Sequence, residues 1–341
     1  MGLLDKVKHI SYKKLICIIG IFLGILILDV AYTSYASVKV PADIGVPFFL
    51  KSPVLFALTF FVLTTLMGIV AVLAGIGGGV VYTPIMMGFT PINSFIIRGT
   101  GLMVAMSGAV VAAKPFLKRG VANIRLLLLT AVTYTGFAVV GAFCAGAIRG
   151  THGEGIIRFA LGILVLTIVA IFIFAGKRVD YPRVSYMDNL TKKMEGVLHL
   201  SMSYWEESLN KVVSYKVIRP WLGIIMFCFI GFISGLFGLG GGWAMVPALN
   251  LGLALPLKVA ATCSKILIGM GDTAAVWAYI NMGAIVPLFT IPCAIGLIVG
   301  TLIGARIMLK VNTTWIRYLL IVVLAASGIR LVTKGWHLLH V

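Results

Sequence analysis

The chain has 341 residues, of which 60% are hydrophobic and only 11% charged, and its mean hydropathy is +1.09. A soluble domain must cover its surface with polar groups and usually carries about a quarter of charged residues, so this composition excludes a soluble globular protein. The net charge of +18 comes from Lys and Arg residues lying mostly between the apolar segments, which favours loops at an anionic membrane surface. We therefore predict a lipid bilayer as surroundings and no nucleic-acid partner.

The first 52 residues combine a basic head with one long apolar segment. Four lysines between residues 6 and 14 precede an apolar run at 15–36. The run is long for a signal peptide, and no clear pattern of small residues for cleavage follows it at the usual spacing, although Ala36-Ser37 leaves cleavage open. We predict an anchor helix at 15–36 within an N-terminal unit at 1–52.

Eight further apolar segments have the length of a membrane span, since about 20 residues cross the hydrocarbon layer. Two shorter apolar pieces, at 80–89 and 243–251, cannot cross alone, and each directly follows a glycine cluster. The predicted spans are residues 53–74, 93–113, 124–148, 156–175, 219–237, 257–280, 285–308 and 315–333.

The one long polar stretch, at 176–218, divides the spans into two halves, 53–175 and 219–341. Apolar residues from Met187 to Val212 recur in it at helical spacing with charged residues between them. This pattern predicts an amphipathic helix lying on the membrane surface. We treat 176–218 as a linker between the halves.

The two halves carry the same motif order. Gly75–Gly79 is followed by Pro84, and Gly238–Gly242 is followed by Pro247 at the same interval. Such a pattern predicts internal duplication, as in many transporters. The expected fold class is an all-α polytopic membrane protein with two homologous four-helix repeats, glycine-broken helices and an extra N-terminal helix. Further correspondences are Gly99-Thr100 with Ala261-Thr262 and Gly146–Arg149 with Gly304–Arg306.

Basic residues in the loops predict the orientation. Loop 114–125 contains four basic residues and no acidic one, and 176–218 contains seven basic against five acidic residues. By the positive-inside rule both lie in the cytoplasm, in a multi-pass protein of the inner (plasma) membrane. A single crossing at 15–36 would then place the basic N-terminus outside, so the side of the N-terminus stays open.

The glycine clusters predict breaks in two helices, because consecutive glycines destabilise a helix. The short pieces that follow would direct two helix N-termini toward the interior, where amide groups attract anions. The alternative is that these glycines only allow close helix packing; the doubled arrangement favours a binding site. The candidate substrate-binding residues are Gly77, Gly78, Gly79, Val80, Gly240, Gly241, Gly242 and Trp243.

Two cations lie in corresponding spans near these clusters. Ionisable groups within a span usually face a cavity or a partner, which makes Arg98 and Lys265 candidates for anion binding. For Arg98, extension to the membrane interface is almost as good an explanation. Asp272 could pair with Lys265 or carry a proton. The nearby hydroxyl candidates are Thr100, Thr262 and Ser264.

No other chemistry is indicated. The five cysteines all lie in apolar stretches without metal-ligand spacing, and the five histidines lie in loops or termini, so we predict no metal, no cofactor and no catalytic residues.

These motifs resemble the sulfite exporter TauE/SafE family, also called the TSUP transporters, over roughly residues 53–333. The resemblance implies a transporter of four plus four helices that moves small sulfur oxyanions or organosulfonates, often outward. Residues 1–50 and 176–218 depart from the compact family pattern, and Lys265 is not part of a matched motif. The residues that match are Gly75–Gly79 with Pro84, Gly235–Gly242 with Pro247, Gly99-Thr100, Ala261–Ser264 and Lys118–Gly120.

We therefore expect a secondary transporter that binds a sulfur-containing anion between two repeats and works by alternating access. The alternative is a membrane scaffold or sensor without transport, using 176–218 as its partner surface. The identity of the anion, the direction, the coupling ion and the oligomeric state, including a homodimer, are left open by the sequence.

Overall fold

The structure is a computed structural model that describes residues 53–73, 77–90, 92–118, 122–148, 150–174, 189–198, 200–206, 211–307 and 313–340. The anchor helix predicted at 15–36 lies outside these residues.

Eight helices of the described residues are long and apolar enough to cross a membrane. Each coincides with one of the predicted spans, so the prediction of a polytopic all-α membrane protein is confirmed. The largest differences are at α3, which extends five residues further than predicted, at α5, which begins five residues earlier, and at α11, which extends six residues further. The eight are α1 Pro53–Leu73, α3 Ser94–Lys118, α4 Ile124–Ala147, α5 Thr151–Phe174, α7 Pro220–Phe237, α9 Leu257–Asn281, α10 Pro287–Ile307 and α11 Thr313–Leu339.

Two short helices follow the glycine clusters, as predicted. Helix α2 spans Gly78–Phe89. Helix α8 spans Gly242–Pro247 and continues into a π-helical turn at Ala248–Gly252. Helix α7 ends at Phe237, because the backbone at the next residue turns into the left-handed region, so the chain between α7 and α8 is not helical.

The long helices pack in four pairs that each join the two halves of the chain. Helix α1 packs on α10, α4 on α7, α3 on α9 and α5 on α11. The first long helix of each half therefore contacts the third of the other half. The second long helices of the two halves contact each other, and so do the fourth. The buried apolar core follows the seam between the halves.

Glycines let α4 and α7 approach at backbone distance. A Cβ at Gly231 would overlap the carbonyl of Tyr134, and one at Gly235 would overlap the carbonyl of Ala138. Helix pairs in lipid are held largely by such close packing, since lipid offers no hydrophobic driving force between helices. This contact places Tyr134 of α4 beside Ser234 of α7.

The linker differs from its predicted form. Helix α6 at Asn189–Leu198 confirms the first part of the amphipathic helix, but strands β1 (Met202–Glu206) and β2 (Lys211–Tyr215) form an antiparallel hairpin where that helix was predicted to continue. The helix prediction is therefore wrong beyond residue 198. Aromatic and β-branched side chains form cross-strand pairs there, such as Trp205 with Val212, and these residue types favour strands.

Asn123 fastens the linker to the transmembrane bundle. Its Oδ1 accepts the amide of Leu126 at 3.1 Å and so caps α4. Its Nδ2 donates to the carbonyl of Leu200 at 2.6 Å and to the hydroxyl of Tyr215 at 3.1 Å. Burial raises the pKa of Tyr215 above its usual range, so the phenol stays neutral. The loop before α4 and the linker therefore lie on one side of the bundle, as their shared basic character predicted.

The α4–α7 contact provides a stability test. We expect Gly235→Ala to lower the free energy of unfolding by about 1–3 kcal/mol, because the added methyl group pushes α7 away from the Ala138 carbonyl. Gly136→Ala on α4 is the matched control, since a Cβ there meets nothing within 4 Å. Thermal unfolding of the purified protein in detergent measures both. Equal unfolding temperatures for the two variants would contradict the packing.

Candidate functional site

Two breaks separate α1 from α2 and α7 from α8. The described part of the first break is Gly77, the second break is Gly238–Gly241, and the two breaks lie in contact inside the bundle. Gly77, which precedes α2, packs directly on Gly242, the first residue of α8: a Cβ at Gly242 would lie 3.0 Å from the Cα of Gly77. A Cβ at Gly79 would overlap the carbonyl of Leu239. The hydroxyl of Thr83 on α2 donates to the carbonyl of Gly238 at 2.6 Å. The start of α2 therefore contacts the whole of the second break.

The second break depends on two glycines in the left-handed region. Gly238 has φ of 69° and Gly240 has φ of 68°. A Cβ at Gly238 would also overlap the backbone of Arg98, and one at Gly240 would lie 2.8 Å from the methyl group of Ala105. Both the dihedral angles and the neighbours on α3 thus require glycine.

A buried polar cluster lies directly beside this break. Asp272 of α9 is 0% exposed, and its Oδ1 accepts hydrogen bonds from the hydroxyls of Tyr134 at 2.5 Å and Ser234 at 3.2 Å. Its Oδ2 has no hydrogen-bond partner and faces Gly240, where a Cβ would lie 2.9 Å from it. A Cβ at Gly241 would lie 3.0 Å from the Tyr134 hydroxyl. Helices α4, α7 and α9 contribute to the cluster, as does the glycine loop, which is the second break at Gly238–Gly241.

Arg98 caps the end of the broken helix. The residue is 1% exposed, which rules out extension to the membrane interface. Its guanidinium donates to the carbonyls of Ser94 at 3.3 Å and Leu236 at 3.2 Å. Leu236 belongs to the last turn of α7, where a positive charge offsets the negative pole of the helix. Arg98 thus holds α7 in place immediately before the break.

Two of the predicted hydroxyl groups already have hydrogen-bond partners within the protein. The Thr100 hydroxyl forms a hydrogen bond with that of Thr290 on α10 at 2.9 Å. The Thr262 hydroxyl donates to the carbonyl of Lys258 in its own helix at 2.8 Å. Ser264 is buried in α9. An anion could use the first two hydroxyls only after these hydrogen bonds break.

The remaining candidates surround the breaks at different distances. Lys265 is half-buried on α9, seven residues before Asp272 and therefore on the same helix face, about 10 Å along it. The hypothesis that these two residues form an ion pair is wrong, because Asp272 bonds to hydroxyls instead. Val80 is buried in the core. Trp243 is partly buried against that core, and its indole nitrogen has no hydrogen-bond partner.

Sequence reasoning missed the partners of Asp272 and of the second break. Ser234 lies one helical turn before Gly238, a spacing that could have indicated it. Nothing local to Tyr134 or Thr83 indicates their contacts, since each touches a residue more than a hundred positions away. Within the described ranges, no group of three His, Cys, Asp or Glu side chains could hold a metal ion.

Comparison with known proteins identifies a family and one curated relative. The model of the family described as "Sulfite exporter TauE/SafE" matches residues 60–331, a range that includes both breaks and Asp272. A curated relative, the "Probable membrane transporter protein YunE" of Bacillus subtilis (strain 168), is 23% identical over 281 residues, which cover 80% of this chain and 96% of the relative. No solved structure matches the chain.

The second break can be tested with two glycines that share one backbone conformation. Gly238 and Gly283 have φ of 69° and 72°, but a Cβ at Gly283 meets nothing within 4 Å. We expect Gly283→Ala to cost only the left-handed conformation, about 1–2 kcal/mol, and Gly238→Ala to cost more, because its methyl group overlaps the Arg98 backbone. Unfolding temperatures in detergent compare the two. A Gly238→Ala protein as stable as Gly283→Ala would show that α3 does not pack on the break.

Proposed function

Since the chain belongs to the sulfite exporter TauE/SafE family, we propose that it carries a small sulfur-containing anion, such as sulfite or an organosulfonate, out of the cell. Family membership and the eight spans among the described residues make it a multi-pass membrane transporter and not an enzyme. The proposal places it in the inner (plasma) membrane with loop 114–125 and the linker in the cytoplasm, because both are rich in basic residues.

The observation that carries the proposal is the direct contact of the two helix breaks. The first amides of a helix have no partner within it and, with the helix dipole, favour an anion. Helix α2, with twelve residues, directs this end at the break. Its other end is already neutralised, because Arg158 donates to the carbonyl of Met87 at 2.6 Å and Lys334 to that of Gly88 at 2.9 Å. The positive pole of α2 is therefore the end that offers a site.

Side chains near the breaks add positive potential and donors. Lys265 lies on the face of α9 that reaches the break, and Ser264 is its neighbour. A bilayer interior has a low dielectric constant, so one cation there influences an anion strongly. We place the bound anion among the amides of 77–80 and 240–243, with Lys265 and Ser264 as side-chain donors. The Val80 amide, which donates to the carbonyl of Gly77 at 3.2 Å, and the hydroxyls of Thr100 and Thr262 would become donors after rearrangement.

Transport requires the breaks to separate. Gly77 and Gly242 are in van der Waals contact, which leaves no room for an anion between them in this state. We propose that the halves 53–175 and 219–341 are two repeats that rock against each other along the seam. The four helix pairs support this proposal, because the pairing is symmetric: the first long helix of each half packs on the third of the other half, and the second and fourth pack on their counterparts. Separation on one side of the membrane at a time would give alternating access.

One observation favours the alternative, a scaffold or sensor. Trp205 and Val212 pair on the same face of the hairpin and are 58% and 60% exposed. Aromatic and aliphatic side chains of this kind can bind a protein partner. Under this alternative, deletion of the hairpin abolishes function while the protein moves no anion.

Flux into proteoliposomes tests the proposal. We expect uptake of sulfite or a sulfonate by the wild-type protein and at least about tenfold slower uptake by Lys265→Ala and Gly241→Leu. The first variant removes the cation, and the second fills the space beside the Tyr134 hydroxyl and the Met245 methyl group.

Matched controls are Lys258→Ala, an exposed lysine on the same helix, and Gly136→Ala, a glycine with open space. Both should transport like the wild type. Transport that is unchanged in Lys265→Ala and Gly241→Leu, in folded and correctly inserted protein, would remove the proposed site.

A further inference from the structure

We propose that Asp272 binds a proton on Oδ2 whenever the anion is bound, so that this protein moves protons together with its anion. The proposal rests on the proposed function, and it assigns the coupling ion and the residue that carries it. It follows from the contacts of one carboxyl group, from its surroundings and from its position at the second break.

The two oxygens of Asp272 have different environments. Oδ1 accepts two hydrogen bonds, from Tyr134 at 2.5 Å and from Ser234 at 3.2 Å, and the two hydroxyls lie 3.0 Å from each other. Oδ2 is buried, has no partner and is directed at Gly240. All three side chains are 0% exposed. The carboxyl group is thus held firmly by one oxygen and presents the other to the glycine loop.

A buried carboxylate with this environment is costly as an anion. Its hydroxyl partners are neutral, and within the described residues no Lys or Arg forms an ion pair with it. Transfer of an unpaired charge into a low-dielectric interior is strongly unfavourable, whereas a proton removes the charge. Oδ2 is the oxygen available for that proton, because Oδ1 is already occupied by two donors.

The elements around Asp272 contribute few other charged or titratable groups. Tyr134 is the titratable group from α4, and α7 presents only the Ser234 hydroxyl. Helix α3 presents Ala105 to the same loop, and its Arg98 is directed at backbone carbonyls. The glycine loop and α8 present none. On α9 itself, Lys265 and Tyr279 lie two turns away on either side.

Proton and anion bind cooperatively for an electrostatic reason. Oδ2 faces Gly240, where a Cβ would lie 2.9 Å from it, and Gly240–Gly242 belongs to the proposed anion site. A negative Asp272 would repel the anion across this short distance, and a neutral Asp272 would not. By linkage, the anion then favours protonation as much as the proton favours anion binding. Two negative charges on one glycine loop therefore predict co-transport rather than exchange of anion against proton.

The site fits a proton better than a metal cation. A hard cation needs several oxygen ligands around it. Oδ2 has no hydrogen-bond partner among the described residues and faces Gly240, whereas the two hydroxyl oxygens bond to Oδ1. A proton needs only the one oxygen. Its exchange with water needs access to Oδ2, which the opening of the Gly77–Gly242 contact would provide.

Proteoliposomes with a pH-sensitive dye inside test the coupling. The probe is methanesulfonate, the anion of a strong acid, which carries no proton itself in the pH range of the assay. We expect an imposed pH gradient to drive accumulation of the anion, an inward anion gradient to acidify the lumen, and the apparent anion affinity to fall about tenfold from acidic to alkaline pH.

Asp272→Asn mimics the neutral acid without a proton to release. We expect this variant to exchange labelled for unlabelled methanesulfonate at every pH but to lose accumulation driven by the pH gradient. Glu154→Gln is the matched control, because it removes another span carboxylate, which pairs with Arg158 and lies away from the breaks. It should couple protons like the wild type.

Tyr134→Phe tests the role of the hydrogen bond to Oδ1. The phenol stabilises the ionised form of Asp272, so its loss should shift the pH midpoint of transport upward. Tyr279→Phe is the control: its hydroxyl is equally buried but donates to the carbonyl of Gly235 at 2.9 Å, and the midpoint should stay in place.

The outcomes separate this proposal from the proposed function. Wild-type protein that moves methanesulfonate without protons, or that requires sodium in place of a pH gradient, overturns the coupling alone. So does a folded Asp272→Asn protein that still accumulates the anion along a pH gradient or that no longer exchanges it. Wild-type protein that moves no sulfur anion at all overturns the proposed function and the coupling with it.

Discussion

The structure depends on how the chain satisfies backbone groups at two places where a helix is interrupted inside the membrane. Lipid offers no partner for a free amide or carbonyl, so irregular backbone must be buried in protein. Here each break is covered by the other half of the chain. Thr83 on α2 holds the carbonyl of Gly238, Arg98 on α3 holds that of Leu236, and Gly77 packs on Gly242. The positions of Thr83, Arg98 and the glycines of the breaks follow from this contact.

The interruption also distributes charge in an ordered way. The carbonyl ends of α2 and α7 are held by the cations Arg158, Lys334 and Arg98, whereas the amide end of α2 is turned toward the central contact. Among the described residues, the carboxyl group of Asp272 faces the second break at Gly240. The contact between the breaks therefore combines amide groups that attract an anion with a carboxyl group that repels an anion when it is ionised. A proton on Asp272 removes this opposition, so that the proposed coupling is a consequence of the geometry that makes the proposed site.

The sequence predicted the elements better than their contacts. Span length and the glycine clusters located all eight described spans and both short helices, because hydrophobic thickness and helix propensity are local properties. The linker was predicted less well. The helical spacing of its apolar residues predicted α6, but beyond α6 the chain forms strands, which agrees with the strand preference of Tyr204, Trp205, Val212 and Val213. The Tyr134–Asp272 contact joins residues 138 positions apart, and no local pattern contains such a contact.

The most direct measurement locates a bound anion at the two breaks. Selenite, the heavier analogue of sulfite, can be bound to crystals of the protein and located by its anomalous scattering at the selenium edge. We expect one strong peak between Gly77 and Gly242, within hydrogen-bond distance of the first amides of α2, with the two glycines further apart than in the structure described here. A peak only at the opposite end of α2, beside Arg158 and Lys334, or helices that run unbroken through both glycine clusters, would contradict it.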